Sequence, residues 1–410
     1  MSGPAALGAL TGGAVGQLLS VLDREGEEAR IIGGAVRNAL LGEPIGDIDI
    51  ATTATPDEVT RRAAAAGFKP VPTGIEHGTV TVVIDSHPFE VTTLRVDVET
   101  FGRRASVRFG RDWRADAERR DFTMNALSVG ADGMLHDYVG GVPDLEARRV
   151  RFIGDPAQRI AEDYLRILRF FRFHAAYGEG EPDPAGLHAC IEGREGLAHL
   201  SRERVRMEML KLLVARGVVP AVTVMADAGL LLPVLGGIAL VPTLAAMQGR
   251  EAALGLAPDA IRRLGALAVL VTEDAERLGQ RLRLANAECD RLIAMGEGWW
   301  RIAPQDGEHD ARVLLYRLGP QRYLDRVLLA WANAQADAAD TAWTALARLP
   351  QRWTAPAFPL KAGSFIARGV PRGPALGAAL RAAEEAWIAA GFPDDPDALA
   401  RLADEASRGT

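Results

Sequence analysis

The chain has 410 residues, 48% of them hydrophobic, and carries 47 basic against 54 acidic side chains for a net charge of −7. That length suits two to four domains, each able to bury a core. The acidic balance excludes a protein that coats nucleic acid over its whole surface and still allows a local basic face. The only lysines are Lys69, Lys211 and Lys361, so nearly all positive charge is arginine, the better fork for phosphate; a composition bias of the source is the better account of most of it. Cys190 and Cys289 lie far apart without C-x-x-C spacing, which argues against a disulfide framework or zinc site and fits a reducing cytoplasm. The first basic residue is Arg24, so the charged start of a secretory leader is not expected. The uncharged stretch 228–249 is broken by Pro233 and Pro242 and reads as a buried helical hairpin, not a membrane span.

In chain order, residues 1–28 read as a helix leading into a strand at 29–32. Gly33 and Gly34 make a turn into a short helix at 35–41, and 47–51 alternates as a strand. Residues 56–66 form an amphipathic helix capped by Thr55. Strands at 79–84 and 89–94 flank a turn, and an arginine-rich loop spans about 97–118. A helix begins near Asp121, and a short hairpin covers 128–138. From Pro156 the pattern is helical almost to the end, so an α+β head precedes a long all-α region.

Asp47 and Asp49, two apart on a strand, project to one face. Carboxylates that close repel unless a cation lies between them, and magnesium, which takes oxygen ligands and bridges nucleotide phosphates, is the natural one. Alone, D-x-D is as often a solvated strand edge. Here Gly33 and Gly34 let backbone amides approach phosphate at a helix start, and Arg37 on the first turn can fork onto a triphosphate. A tight turn with a surface arginine is the plainer alternative. Glu90, on the strand 89–94, either completes the metal cluster, accepts the proton of an attacking hydroxyl, or is a salt-bridged strand glutamate. The neighbours His136 and Asp137 hint only weakly at a phosphohydrolase pair, since no further metal ligands of such a site are visible.

Five segments in order, GGAVRN-x8-DIDIA (33–51), FEVTTLR (89–95), RRDFTMNAL (119–127), DYVGG (137–141) and EDYLRILRFFRF (162–173), resemble the successive motifs of class II tRNA nucleotidyltransferases, within the DNA polymerase beta superfamily. Bacterial poly(A) polymerases share the set. The likeness covers about 30–215, through SRERVRMEML (201–210), and resumes at LKAGSFIARGVPRGPALGAAL (360–380), similar to the tail of CCA-adding enzymes. Asn38 stands where the family often has Asp, and 220–355 departs most. The resemblance implies a polymerase-beta-like head with a mixed sheet and helices at 1–150, then a helical neck at 151–215, body at 216–355 and tail at 356–410. It also implies Mg²⁺ as cofactor, CTP and ATP as substrates, and contacts with the tRNA 3′ end and elbow; no membrane partner is expected.

Asp163, Arg166, Arg169 and Arg172 recur every three residues along the helix that Asp155 and Pro156 would start, as a slowly drifting stripe. An arbitrary helix would carry such a stripe as a salt-bridged solvent face. CTP and ATP both present an exocyclic amino group where UTP and GTP present a carbonyl, so a carboxylate and an arginine together would accept the first two and reject the others. The family resemblance assigns base reading to Asp163 and Arg166, and nucleotide contact to Arg169, Arg172 and Arg120. Asp121 is expected at the ribose and Asn125 as a brace. The expected activity is addition of C, C and A from CTP and ATP without a nucleic-acid template, releasing pyrophosphate. The alternatives are a poly(A) polymerase, a partial C- or A-adding enzyme, and a non-catalytic RNA-binding or structural helical protein. Against the first stands the acidic C-terminal stretch with Asp394, Asp395, Asp397, Asp404 and Glu405; against the last, the intact Asp47 and Asp49.

Overall fold

The computed structural model describes residues 4–74, 78–101, 104–334 and 336–408. The chain forms two compact units, residues 1–238 and 239–410.

The first unit is built on strands β1 (Ala29–Ile32), β2 (Asp49–Thr52), β3 (Lys69–Gly74), β4 (Thr79–Ile84), β5 (His87–Thr93), β8 (Ser128–Gly130) and β9 (Leu135–His136), in the sheet order β3-β4-β5-β2-β1-β8-β9. β6 (Arg95–Phe101) and β7 (Arg104–Phe109) form a separate hairpin. β2 runs parallel to β5 and antiparallel to β1, so the sheet is mixed. Alternation governs burial: Ile31, Ile50 and Val91 are fully buried, while Asp49 and Glu90, adjacent across the parallel ladder, lie on the opposite face. The helices α1 (Pro4–Leu10), α2 (Gly13–Leu22), α3 (Gly34–Leu41), α4 (Pro56–Ala65), α5 (Trp113–Glu118) and α6 (Gly141–Glu146) complete the head. Thr55 caps α4 through the Glu58 amide at 3.4 Å, as its sequence suggests.

Several elements differ from the sequence expectation. The N-terminal helix is two helices, α1 and α2, and β3 was not anticipated, because its two prolines suppress the strand signal that its edge position tolerates. Asp47 precedes β2 instead of lying on it. The arginine-rich loop is largely the β6–β7 hairpin followed by α5; Arg103 lies outside the described residues, and the side chains of Arg104 and Arg108 are not described. No helix starts at Asp121; a single 3-10 turn, Thr123–Asn125, follows it. Asp137 accepts the amides of Val139, Gly140, Gly141 and Val142 at 2.9–3.1 Å. It is thereby committed to starting α6, not to a phosphohydrolase site. Gly141 belongs to the same arrangement, since a Cβ there would stand 2.3 Å from the Thr123 carbonyl oxygen.

The helices α7 (Pro156–Glu162), α8 (Leu165–Tyr177), α9 (Pro184–Glu192), α10 (Arg202–Leu213), α11 (Val218–Asp227) and α12 (Leu232–Leu235) finish the first unit. The expected single helix through Asp163 is two. At Asp163 the backbone turns extended (φ −159°, ψ 104°) and its Oδ1 accepts the Leu165 amide at 3.1 Å. The aspartate starts a new helix, as short polar side chains do when they compete for backbone donors. An aromatic cluster ties α8 to the head: Phe122 lies 4.9 Å from Phe152 and 5.3 Å from Phe173, and Phe152 stacks on Phe170 at 5.4 Å between ring centroids.

The second unit contains α13 (Val241–Leu254), α14 (Ala260–Ala268), α15 (Thr272–Leu282), α16 (Asn286–Gly296), α17 (Glu308–Asn333), α18 (Thr341–Ala347), α19 (Leu349–Arg352), α20 (Ala362–Ile366), α21 (Pro374–Ala389) and α22 (Pro396–Arg408). Its core holds a buried ionic network in which Arg262 reaches Glu251 (3.0 Å) and Asp325 (2.9 Å) while Arg291 reaches Asp325 (2.8 Å) and Asp259 (2.9 Å). α17 is kinked at Gly319 (φ 73°, ψ 168°), immediately before Pro320. Among the described residues no helix is long and apolar enough to cross a membrane.

The aromatic cluster gives a direct stability test. Phe122 is fully buried, so Phe122→Ala should destabilise the first unit by about 3–5 kcal/mol in urea unfolding. Met134→Ala, at a side chain 60% exposed, should stay within about 0.5 kcal/mol.

Candidate active site

The glycine turn after β1 is set by backbone conformation. Gly33 has φ 68° and ψ −122°, a combination closed to side chains with a Cβ, and its amide bonds the Leu127 carbonyl at 3.0 Å. No side chain caps the start of α3, which leaves first-turn amides available to an anion. This turn forms one wall of a cavity of about 690 Å³. Of the residues expected at a site, Gly33, Gly34, Arg37, Asp47, Asp49, Arg120, Asp121, Asp163, Arg166, Arg169 and Arg172 all line it; Glu90 does not, although it neighbours Asp49 across the parallel ladder.

Arg37 is buried, yet its partners are neutral. Nη1 donates to Asn125 Oδ1 (2.5 Å), Nη2 to Tyr177 Oη (2.7 Å), and both Nε and Nη2 to Asn38 Oδ1 (3.1 and 2.9 Å). The ring of Tyr177 lies 3.9 Å from its guanidinium carbon. Burial lowers its pKa from the ordinary arginine value, with nearby Arg172 acting in the same direction. Tyr177 and Asp121 oppose this lowering without forming an ion pair, and a buried positive charge in direct contact only with neutral groups is suited to an anion.

The acidic wall behaves in the opposite sense. Asp49 has its pKa raised, first by burial and then by the charge of Glu90, with Asp47 adding and Arg120 opposing. Neither Asp47 nor Asp49 forms an ion pair with an arginine or lysine among the described residues. That combination fits a divalent cation. Among the described residues no group of three histidine, cysteine or acidic side chains forms a ready-made metal cage. Magnesium suits such a site, because it is commonly held by one or two carboxylates with substrate phosphates supplying further oxygens.

The remaining arginines are positioned by acids. Asp116, 4% exposed, holds Arg120 at 3.0 Å and Arg119 at 2.5 Å; burial alone would raise its pKa, but the two guanidiniums more than offset this and lower it. Asp121 accepts from Arg169 Nε (2.8 Å) and from Asn125 Nδ2 (3.2 Å), so it links the brace of Arg37 to α8. Glu208 on α10, 3% exposed, bonds Arg172 at 2.5 Å and lies 3.5 Å from Arg169. Arg166 Nη1 donates to the Arg159 carbonyl (2.6 Å) and to Glu162 (2.5 Å), and the side chain lines the cavity. Sequence reasoning missed Gly46, Phe173 and Lys211, which also line the cavity, and Tyr177, which holds Arg37. Tyr177 carried a legible signal, since it stands four residues after Phe173 on the face of α8 that meets the head.

A mixed sheet presenting paired carboxylates beside a glycine turn, facing a wall of arginines, defines a polymerase-beta-like nucleotidyltransferase head followed by helical regions. The family model described as "Poly A polymerase head domain" matches residues 29–151, and that described as "Probable RNA and SrmB- binding site of polymerase A" matches residues 181–241. The human mitochondrial CCA tRNA nucleotidyltransferase 1 is 34% identical over 395 residues, covering 93% of this chain and 88% of its own. The CCA-adding enzyme of Limosilactobacillus fermentum is 31% identical over 396 residues, covering 95% of each. The crystal structure of the Bacillus stearothermophilus CCA-adding enzyme in complex with CTP superposes with a TM-score of 0.73 at 28% identity, covering 99% of this chain and 98% of that one. The chain belongs to the class II CCA-adding tRNA nucleotidyltransferases.

The anion-binding character of the cavity can be tested without turnover. Calorimetric titration with tripolyphosphate should show binding to the native protein, weakened about tenfold or more in Arg37→Gln, in line with the loss of a charge-assisted contact.

Proposed function

We infer that the protein adds C, C and A to the 3′ end of tRNA from CTP and ATP, releasing pyrophosphate, with no nucleic-acid template. The observation that carries this is one cavity lined by Asp47 and Asp49, by a buried arginine without an ion-pair partner beside a glycine turn, and by Asp163, Arg166, Arg169 and Arg172. A poly(A) polymerase would share the head. CCA addition is favoured because the CCA-adding relatives match along nearly the whole chain.

In the reaction the tRNA 3′ oxygen bonds the α-phosphorus as the bond to the bridging oxygen of the β-phosphate breaks, and pyrophosphate departs. Arg37 and the amides of the glycine turn hold the triphosphate, and Arg120, Arg169 and Arg172 add positive charge around the nucleotide. Glu90 does not line the cavity, and its place beside Asp49 supports an electrostatic role exerted through that carboxylate in place of direct contact with the attacking hydroxyl. Asp47 and Asp49 would hold Mg²⁺, which when bound neutralises triphosphate charge and favours the ionised hydroxyl. Asp163 accepts the exocyclic amino group common to cytosine and adenine, and Arg166 donates to the adjacent ring acceptors. The free Cys190 and Cys289 support a reducing compartment such as the cytoplasm.

The test is to sequence products made on tRNA lacking its CCA with all four nucleotides present. The native protein should add C, C and A and stop. Asp47→Ala and Asp49→Ala should each abolish transfer with unchanged circular dichroism; near-native turnover in either would refute the metal site. Asp163→Ala should admit UTP and GTP, a loss of discrimination of about 1–3 kcal/mol.

The tail is proposed to hold the tRNA elbow. Arg368 is committed to Asp404 at 2.6 Å and to the Ser364 carbonyl at 2.8 Å, which leaves the exposed Lys361 and Arg372 as the better candidates for phosphate. Replacing both with alanine should raise KM for tRNA and flatten its salt dependence. Addition to a minihelix lacking the elbow should be unchanged.

A further inference from the structure

Asp163 has a second partner on a different helix. Arg204 of α10 places Nη2 2.6 Å from Asp163 Oδ2, while Asp163 Oδ1 accepts the Leu165 amide at 3.1 Å. The two oxygens are thus pinned from two directions, one by the start of α8 and one by α10. Each carboxylate oxygen accepts two hydrogen bonds, so each keeps a free acceptor site on a side chain that lines the cavity. Arg204 does not itself line the cavity. One helical turn further along α10, Glu208 takes Arg169 and Arg172. α10 therefore presents a cation to the one acid of the α8 stripe and an acid to two of its cations.

We propose that Arg204 is a specificity-determining positioning residue, which keeps the Asp163 carboxylate aimed so that its free lone pairs accept an amino group and refuse a carbonyl. The proposal rests on base reading by Asp163. Cationic alternatives stand close along the stripe: Arg166 is three residues on, and Arg169 already feels the Asp163 charge. Replacing Arg204 removes an α10 contact that opposes rotation of the carboxylate toward those guanidiniums. An Asp163 folded onto them would present fewer acceptors to a base, and Arg166 would have donors diverted from it. A loss of this kind falls on the choice between nucleotides. Loss of a purely structural ion pair would weaken all four nucleotides alike.

The experiment measures kcat/KM for CTP and for UTP on tRNA lacking its CCA, in Arg204→Ala, Asp163→Ala and the double variant. Arg204→Ala should lower the CTP-over-UTP ratio about tenfold, as expected for one charge-assisted hydrogen bond, and should add nothing further in the Asp163→Ala background. Arg204→Lys, which keeps the charge, should recover part of the ratio, and Arg204→Gln should not; these two also serve if the alanine variant fails to fold. A ratio unchanged by Arg204→Ala or Arg204→Gln while Asp163→Ala lowers it overturns the role of Arg204 and leaves base reading by Asp163 standing. A ratio unchanged in all variants, Asp163→Ala included, overturns base reading and this proposal together. Equal loss for CTP and UTP in the Arg204 variants assigns the ion pair to folding and overturns the proposal.

Discussion

A buried guanidinium without an acidic partner is the constraint on which the site depends. Arg37 leaves the first turn of α3 and is received by Asn125 from the 3-10 turn and by Tyr177 from the end of α8. Three stretches of chain far apart in sequence must therefore be in place before the charge is accommodated. Desolvating a cation is expensive, and neutral acceptors with one aromatic face recover only part of that cost. The remainder is available to a ligand: a triphosphate entering the cavity supplies the negative charge that the fold withholds. Affinity for the anion and the geometry joining α3 to α8 are in this sense one interaction.

The same economy runs through the acids of the first unit. Asp116, Asp121 and Glu208 each hold arginines that line the cavity, and none of the three forms an ion pair with Arg37 among the described residues. Asp116 takes Nε and Nη2 of Arg120, Asp121 takes Nε and Nη2 of Arg169, and Glu208 takes Nε of Arg172, so the arginines arrive oriented. Preorganised donors of this kind stabilise developing charge without rearranging as it develops. Asp47 and Asp49 stand apart from this pattern: neither pairs with an arginine or lysine among the described residues, and the Arg120 charge only opposes the rise in the Asp49 pKa.

Much of this was legible in the sequence. Paired aspartates after a glycine turn and an arginine stripe with a leading acid place residues of one charge and spacing on one face, and the cavity collects nearly all of them. What was not legible has identifiable causes. A 3.6-residue period carries across Asp163 without interruption, because the break there comes from one side chain capping the next helix, which periodicity does not register. β3 escaped notice because Pro70 and Pro72 suppress a strand signal that an edge strand does not need. Glu208 and Arg204 act on residues tens of positions away, and helical spacing on their own element says nothing about which partner they meet. Arg368, attractive as a phosphate contact by charge alone, is taken up by Asp404, a pairing visible only once α22 is folded against its neighbours.

The kink in α17 has a mechanical consequence. Pro320 brings no N–H, and Gly319 lies outside helical geometry, so continuity of the hydrogen-bonded ladder is already lost at that point. Before it, Tyr316 and Arg317 engage Glu384 and Glu385 of α21; after it, Tyr323, Asp325 and Arg326 engage α18, α14 and α16. What is formally one rod of 26 residues is two shorter rods in series with a compliant joint, each clamped to a different set of helices. Bending at the joint sacrifices no backbone hydrogen bond across Pro320, whereas bending elsewhere along α17 would. Within the second unit, elastic strain is therefore expected to concentrate at this one peptide and to leave both clamped ends stiff.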